Sequence, residues 1–159
     1  MDNNIINNIT VINLADEPEH IEQVSVWLWE EWAKKDGIPL EEIIYRTKHS
    51  ICKDKVPQTL IAKYNDELVG TVAIWYNDLK TRPDLTPWLA ALYIKNEYRG
   101  KGIGTIMQEK CIEEVKKLGY DKLYLITDHE NYYERSGWIF LEMAPLKGNH
   151  TRVYEYEIK

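Results

Sequence analysis

Three glycines and two basic residues lie together in one short segment that can bind phosphate. The segment consists of Arg99, Gly100, Lys101, Gly102, Ile103 and Gly104, and Thr105 comes next. Glycines let the backbone approach an anion closely, and a helix that begins here directs its unpaired N–H groups and the positive end of its dipole at that anion. The arginine and the lysine add positive charge. The segment therefore predicts a site for a ligand that carries a pyrophosphate group.

The spacing of these glycines excludes two other phosphate-binding motifs. Thr105 and Met107 stand where the last glycine of a dinucleotide-binding fingerprint would be. A Walker loop would need a Gly-Lys-Ser/Thr sequence, which is absent after this segment. The alternative to a phosphate-binding site is a glycine-rich helix start that binds no ligand, since short glycine motifs often occur without the predicted function.

A tyrosine in a second segment is suited to proton chemistry. Tyr133 stands four residues before Gly137, in the sequence Tyr132, Tyr133, Glu134, Arg135, Ser136, Gly137 and Trp138. A phenol of pKa about 10 can donate a proton or a hydrogen bond to a leaving group. The alternative to a chemical role for Tyr133 is simple packing as an aromatic side chain, since the chain has 11 tyrosines.

Composition limits the class of protein and its partners. The 159 residues, 44% hydrophobic and 29% charged, predict one globular domain over residues 1–159. The net charge of −6 and the scattered basic residues argue against nucleic acid as a partner. Cys52 and Cys111 lie far apart without metal-ligand spacing, so neither a metal site nor a disulfide is expected. No segment reads as a signal peptide or a membrane span, so we expect a cytoplasmic location without membrane contact.

Helices and strands that position these segments can be predicted from the hydrophobic pattern. Apolar residues at Ile21, Val24, Leu28 and Trp32 have the spacing of one buried helix face. The pattern predicts strands at 10–14, 59–64, 68–75, 88–94, 122–127, 138–143 and 152–158, with helices from 16, from 40, from 103 to Gly119 and over 130–136. The glycine segment thus lies between a strand and a helix.

In that position, residues 99–104 resemble the Arg/Gln-x-x-Gly-x-Gly/Ala signature of the GCN5-related N-acetyltransferase family. The segment from Tyr132 to Trp138 is similar to the family's Tyr-x-x-x-Gly-Phe. The resemblance is close over residues 88–140, and the element order extends it over the chain. It implies an α/β (α+β) fold with a central mixed, mostly antiparallel sheet of about seven strands flanked by about four helices.

The resemblance also implies an activity, a cosubstrate and residue roles. Acetyl-CoA would donate its acetyl group to a primary amine that attacks the thioester directly, without an acyl-enzyme and without a metal. Residues 99–105 would bind the pyrophosphate, and Leu92, Tyr93 and Ile94 would pair with the pantetheine arm. A backbone N–H near Tyr93 or Ile94 would stabilise the oxyanion, and Tyr133 would be the general acid.

Other roles stay open. The strand before the glycine segment has no carboxylate, so the base is Asp128, His129, Glu130 or a water chain. The family's asparagine before the tyrosine is missing, which leaves Asn131 without an assigned role. Aromatic rings and carboxylates suit a cationic amine, and the candidate acceptor contacts are Trp29, Glu30, Trp75 and Asp128.

The acceptor and the assembly state are not determined by the sequence. The amine can belong to a small molecule, a polyamine, an aminoglycoside-like compound or a peptide. A protein N-terminal or lysine acetyltransferase is one alternative, and a catalytically weak coenzyme A-binding sensor or interaction module is another. The length of the acyl group is also open, and a homodimer is compatible with the sequence.

Overall fold

The protein, seen in a computed structural model that describes residues 3–159, is built on one mixed sheet. Its strands are β1 (Ile9–Asn13), β2 (Gln58–Tyr64), β3 (Glu67–Trp75), β4 (Trp88–Ile94), β5 (Lys122–Thr127), β6 (Ile139–Leu146) and β7 (Asn149–Glu157). The α-helices in the described range are α1 (Asn3–Asn7), α2 (Ile21–Leu28), α3 (Leu40–Lys48) and α4 (Ile103–Lys117).

The strand order is β1-β2-β3-β4-β5-β7-β6. Only β4 and β5 run parallel among the described strands, and all other neighbours are antiparallel. This arrangement confirms the predicted mixed, mostly antiparallel sheet of seven strands with four flanking helices.

Helices cover both faces of the sheet. The core beneath α4 includes Met107, Cys111 and Leu60, whereas the core beneath α2 and α3 includes Val24 and Ile61. Leu60 and Ile61 are neighbours in β2, and successive side chains of a strand point to opposite faces. The helix after the glycine segment therefore packs on one face, and the two early helices pack on the other.

One residue of the predicted helix face is not buried. A π-helical turn over Trp29–Ala33 comes directly after α2. Such a turn inserts one residue into the helix, so the side chains that follow are rotated to a different face. As a result Ala33 is buried at 6% exposure, while Trp32 is 39% exposed. The prediction of a buried Trp32 was wrong because the 3.6-residue period does not continue through this turn.

Two further elements differ from the prediction. The helix predicted over 130–136 is a 3₁₀ turn that begins only at Tyr133 and ends at Ser136. Residues 14–20 form two short 3₁₀ turns before α2 begins, and α1 was not predicted. Within residues 3–159, no helix has both the length and the apolar character needed to cross a bilayer.

Candidate active site

The parallel strands β4 and β5 meet at one point and then separate. Their register contains the pair Trp88 and Tyr124, and the Tyr124 N–H donates to the Pro87 carbonyl at 3.1 Å. From Leu89 to Ile94, β4 has no partner on β5 within the described residues. The sheet therefore contains a cleft that is closed at Trp88 and open toward the carboxyl ends of both strands.

A β-bulge in β4 changes which backbone groups face the cleft. Thr71 pairs with Tyr93 and Ala73 pairs with Ala90, so β4 carries one extra residue. Ala91 lies at this bulge with φ 52°, in the left-handed region that non-glycine residues rarely adopt. The bulge could not be predicted from the sequence, since alanine is not a residue that marks this conformation.

Beyond the bulge, alternation determines the direction of each backbone N–H. The Lys95 N–H donates to the Val69 carbonyl of β3 at 2.8 Å, so Tyr93, two residues earlier, also faces β3. Ile94 and Leu92 face the other way, into the cleft. Of the two oxyanion donors expected from the sequence, the Tyr93 N–H is thus turned away and the Ile94 N–H faces the cleft.

The glycine segment forms the N-terminus of α4 at the open end of the cleft. Gly100 and Gly102 have φ values of 73° and 90°, which glycine adopts without steric cost. The first bond of the helix runs from the Ile106 N–H to the Gly102 carbonyl at 3.3 Å. In the described structure, no side chain caps this end, and the first turn contains no acidic residue. The N–H groups of residues 103–105 are accordingly available to an anion.

Arg99 is held beside the last residues of β4. Its Nε donates to the Ile94 carbonyl at 2.7 Å, and its guanidinium lies 5.3 Å from the centre of the Tyr93 ring. The Tyr93 ring also packs against Trp27 of α2, with 5.1 Å between ring centres. These contacts fix a positive charge next to the unpaired N–H groups of α4. Lys101 is partly exposed in the same loop.

Two adjacent tyrosines follow β5, and one of them approaches the glycine segment. Tyr133 packs edge-on against Trp138 and at a tilt against Tyr154, at 6.1 Å between ring centres in both pairs. Burial raises the pKa of Tyr133 to about 12. The Tyr132 ring is 40% exposed, and a methyl group placed on Gly104 would lie 3.8 Å from its hydroxyl. The structure thus brings the Tyr132 hydroxyl to the first turn of α4, a contact that the motif spacing did not reveal.

The candidate acceptor contacts do not lie in one place. Trp29 donates its Nε1–H to the Ile38 carbonyl at 2.7 Å, which ties it to the connection between α2 and α3. Glu30 and Asp128 are exposed. Among the three base candidates after β5, Glu130 forms an ion pair with Arg152.

Trp75 lines a cavity of about 680 Å³ on the α2 and α3 face of the sheet. The Arg46 guanidinium lies 5.1 Å from the centre of its ring. Asp78 lines the same cavity, and burial raises the pKa of its carboxyl group to about 7 against the opposing effect of Arg46. The sequence did not set Asp78 apart from the other carboxylates of the early helices and loops, because burial of a loop carboxylate leaves no periodic pattern.

Two other groups of reactive side chains have surroundings that indicate a structural role. Cys111 is fully buried in the core beneath α4, and burial raises the pKa of its thiol well above the ordinary value. Glu17, Glu19 and His20 bring possible metal-ligand atoms within 4.8 Å of one another. The Glu17 carboxylate already accepts hydrogen bonds from Lys63 at 2.8 Å and from His20 at 3.1 Å, which explains their proximity without an ion.

The sheet order, the cleft between β4 and β5 and the uncapped helix at its mouth define an α+β protein that can accept an extended ligand with an anionic end. Residues 21–138 match the family described as the acetyltransferase (GNAT) family. The matched range is more than half of the chain, and the chain belongs to this family. The family predicted from residues 99–104 and 132–138 is therefore confirmed.

Individual relatives agree with this assignment. The chain is 32% identical over 103 residues to N-alpha-acetyltransferase 30 of Schizosaccharomyces pombe, an alignment that covers 62% of each protein. It is 22% identical over 107 residues to an uncharacterized N-acetyltransferase of Chlorobaculum tepidum, covering 67% of this chain and 66% of that protein. The chain thus spans less than two thirds of the length of both relatives.

Solved structures share the fold. A crystal structure of an aminoglycoside 6'-N-acetyltransferase complexed with coenzyme A has a TM-score of 0.74 and 16% sequence identity, and the match covers 94% of this chain and 97% of that one. At this identity the likeness concerns the fold alone.

Proposed function

We propose that residues 1–159 act as one acyl-CoA N-acyltransferase domain that moves an acetyl group from acetyl-CoA to a primary amine. The observation that carries the proposal is the cleft between β4 and β5, which closes at Trp88 and Tyr124 and opens onto the N-terminus of α4. A pyrophosphate on that N-terminus leaves the rest of an extended ligand beside β4.

The cosubstrate is bound along this path. The pyrophosphate accepts hydrogen bonds from the N–H groups of residues 103–105, and Arg99 and Lys101 supply charge. The pantetheine arm pairs with the cleft-facing backbone of Leu92 and Ile94 as an added strand would. The thioester then lies toward the closed end of the cleft, where the Leu92 N–H beside the bulge is nearer than the Ile94 N–H and can stabilise the oxyanion.

The reaction needs two proton movements. An ammonium ion first loses a proton to a base, and the neutral nitrogen then forms a bond to the thioester carbon. Collapse of the tetrahedral intermediate breaks the carbon–sulfur bond, and the second proton of the nitrogen ends on the sulfur or in solvent. Full transfer from Tyr133, with its pKa of about 12, to a thiolate would cost about 5 kcal/mol. Tyr133 therefore acts by donating a hydrogen bond to the departing sulfur.

A peptide N-terminus is the second candidate acceptor. The similarity to N-alpha-acetyltransferase 30 of Schizosaccharomyces pombe favours it. A coenzyme A-binding sensor without catalysis is the non-enzymatic alternative, and it would share the loop and the cleft.

Thiol release and calorimetry test these proposals together. Purified protein is mixed with acetyl-CoA and a panel of small amines and peptides, and free thiol is measured over time, while coenzyme A binding is measured by titration. We expect binding together with thiol release that depends on an amine. Binding without release from any acceptor would support the sensor, and no binding would refute the assigned site.

Self-association is also part of the proposal. β6 is an edge strand of the described sheet, and four of its apolar residues are exposed, namely Ile139, Phe140, Leu141 and Met143. Because an exposed apolar edge can pair with a second copy, we expect a homodimer, and light scattering after size-exclusion chromatography measures its mass. The cytoplasmic location expected from the sequence stays a prediction.

A further inference from the structure

The cavity beside Trp75 lies next to the closed end of the cleft. Trp75 pairs with Trp88 across β3 and β4, and Trp88 is the β4 residue that pairs with β5. Leu79, the residue after Asp78, is fully buried against Trp88 and Tyr124. The cavity therefore adjoins the end of the cleft at which the thioester is expected, on the face of the sheet opposite α4.

The size and lining of this cavity suit a small polar molecule. Its volume of about 680 Å³ falls within the range of about 300–1,000 Å³ that is usual for metabolite sites. The polar residues lining it include Arg46, Ser50, Asn77 and Asp78, and Trp75 supplies an aromatic surface. A ligand here would contact a few charged groups that are surrounded by apolar side chains.

The charges of the cavity are of both signs, with an excess of cations. Its cationic residues are Arg46, Lys80 and Lys147, and its carboxylates are Asp36 and Asp78. Lys147 forms an ion pair with Asp36, so these two charges offset each other. Within residues 3–159, no hydrogen bond or ion pair to another side chain engages the Arg46 guanidinium or the Asp78 carboxylate, although the guanidinium packs on Trp75 and its charge acts on Asp78. The cavity thus offers one guanidinium and one carboxylate to a ligand.

We infer that the acceptor is a small amine that also carries a carboxylate, that is, an amino acid, with its carboxylate bound by Arg46 and its ammonium group by Asp78. This inference rests on the proposed acetyl transfer. A guanidinium pairs well with a carboxylate, and Trp75 beneath it restricts its orientation. A polycationic acceptor fits poorly, because Arg46 and Lys80 would repel it.

Asp78 also accounts for the proton that the amine must lose. The ammonium group transfers one proton to the Asp78 carboxylate, and the freed nitrogen lone pair attacks the thioester carbon. Asp78 later releases this proton to solvent, and the thiol keeps the second one. Because burial brings the pKa of Asp78 close to neutrality, the group can accept and release a proton near physiological pH.

Matched acceptors test the inference. Rates of thiol release are measured with the twenty common L-amino acids, with their C-terminal amides, with spermidine and with an aminoglycoside. We expect at least one amino acid to have a kcat/KM about tenfold or more above that of its amide, and both polycations to be poorer still. Arg46→Gln should bring the ratio of acid to amide close to one. Lys48→Gln, which removes a charge from the same helix outside the cavity, should leave the ratio unchanged.

The outcomes separate this inference from the proposed function. Coenzyme A titration and circular dichroism show whether Arg46→Gln is folded and still binds the cosubstrate. A preference for polycations or amides, a ratio unaffected by Arg46→Gln, or no turnover with any amino acid despite coenzyme A binding would overturn the amino-acid assignment. Failure of the unaltered protein to bind coenzyme A would instead overturn the proposed function. Asp78→Asn should slow the acid and the amide alike, since both must lose a proton.

Discussion

At the scale of single residues, the proposed reaction makes Tyr133 the hydrogen-bond donor to the departing thiolate, and the adjacent Tyr132 offers a comparison. Tyr133 has the motif spacing and a pKa raised to about 12 by burial, so it stays protonated at every working pH. A hydrogen bond from it to the developing thiolate is strongest in the transition state, when charge is present on sulfur. Its contribution should therefore fall on kcat rather than on the affinity for acetyl-CoA.

Substitution of each tyrosine by phenylalanine tests this role. We expect Tyr133→Phe to lower kcat by about 10²-fold, the usual effect of removing one hydrogen-bond donor to a developing charge, and to leave the dissociation constant of coenzyme A within about threefold. Tyr132→Phe removes the neighbouring hydroxyl and should lower kcat by less than about threefold. Steady-state kinetics and titration measure both variants. If Tyr132→Phe carried the larger loss, the hydroxyl beside Gly104 would be the donor.

Asp78, the proposed base, also affects the stability of the fold. Its pKa rises from 3.8 to about 7 on folding because of burial, so the folded state binds the proton more tightly than the unfolded state. Stability from this group is fully present below about pH 4 and is lost as the pH rises through about 7. The loss is at most about 4 kcal/mol for such a shift.

Asp78→Asn should remove this pH dependence. We expect the free energy of unfolding of the variant to exceed that of the parent by about 1–3 kcal/mol at pH 8 and by much less at pH 4. Urea unfolding at both pH values measures the difference. Asp128→Asn changes an exposed carboxylate and serves as the control. An equal effect of Asp78→Asn at both pH values would contradict the linkage.

At the scale of elements, the two ends of α4 offer a matched comparison. Gly102 at its N-terminus and Gly119 after its C-terminus both have φ 90°. Alanine at either position is strained by a similar amount, about 1 kcal/mol, but only Gly102 adjoins the N–H groups assigned to the pyrophosphate. We expect Gly102→Ala to weaken coenzyme A binding about tenfold or more and Gly119→Ala to leave it unchanged, as measured by calorimetry. Equal affinities in the two variants would argue against the loop assignment.

The elements also show which parts of the site the sequence could predict. β4 and β5 have the predicted bounds, because each is a β-rich run that ends at polar residues. The loop before α4 was found because glycine spacing directly encodes backbone conformation. The bulge at Ala91 and the π-helical turn at Trp29 could not be predicted, since each depends on tertiary packing that no local residue marks. The cavity at Asp78 is lined by residues from five separate segments, and of these residues the sequence had indicated only Trp75 as a candidate contact.

At the scale of the whole molecule, the sheet is weakest where the cosubstrate is expected. β4 and β5 share one register pair, whereas β5 and β7 are paired along six residues. The two parts of the sheet on either side of the cleft are therefore connected by few direct hydrogen bonds. A ligand that pairs with β4 and also contacts α4 adds links between them, and those links exist only in the folded state.

Coenzyme A should consequently raise the melting temperature. A ligand present at 100 times its dissociation constant stabilises the folded state by about 2.7 kcal/mol, which corresponds to about 5–11 °C for a protein of this size. We expect Gly119→Ala to show the full increase and Gly102→Ala a much smaller one at the same coenzyme A concentration, in thermal unfolding monitored by circular dichroism. Adenosine 3',5'-bisphosphate without the pantetheine arm should give only part of the increase, because it occupies the α4 N-terminus and leaves β4 unpaired. An equal increase with this fragment would mean that the cleft does not take up the arm.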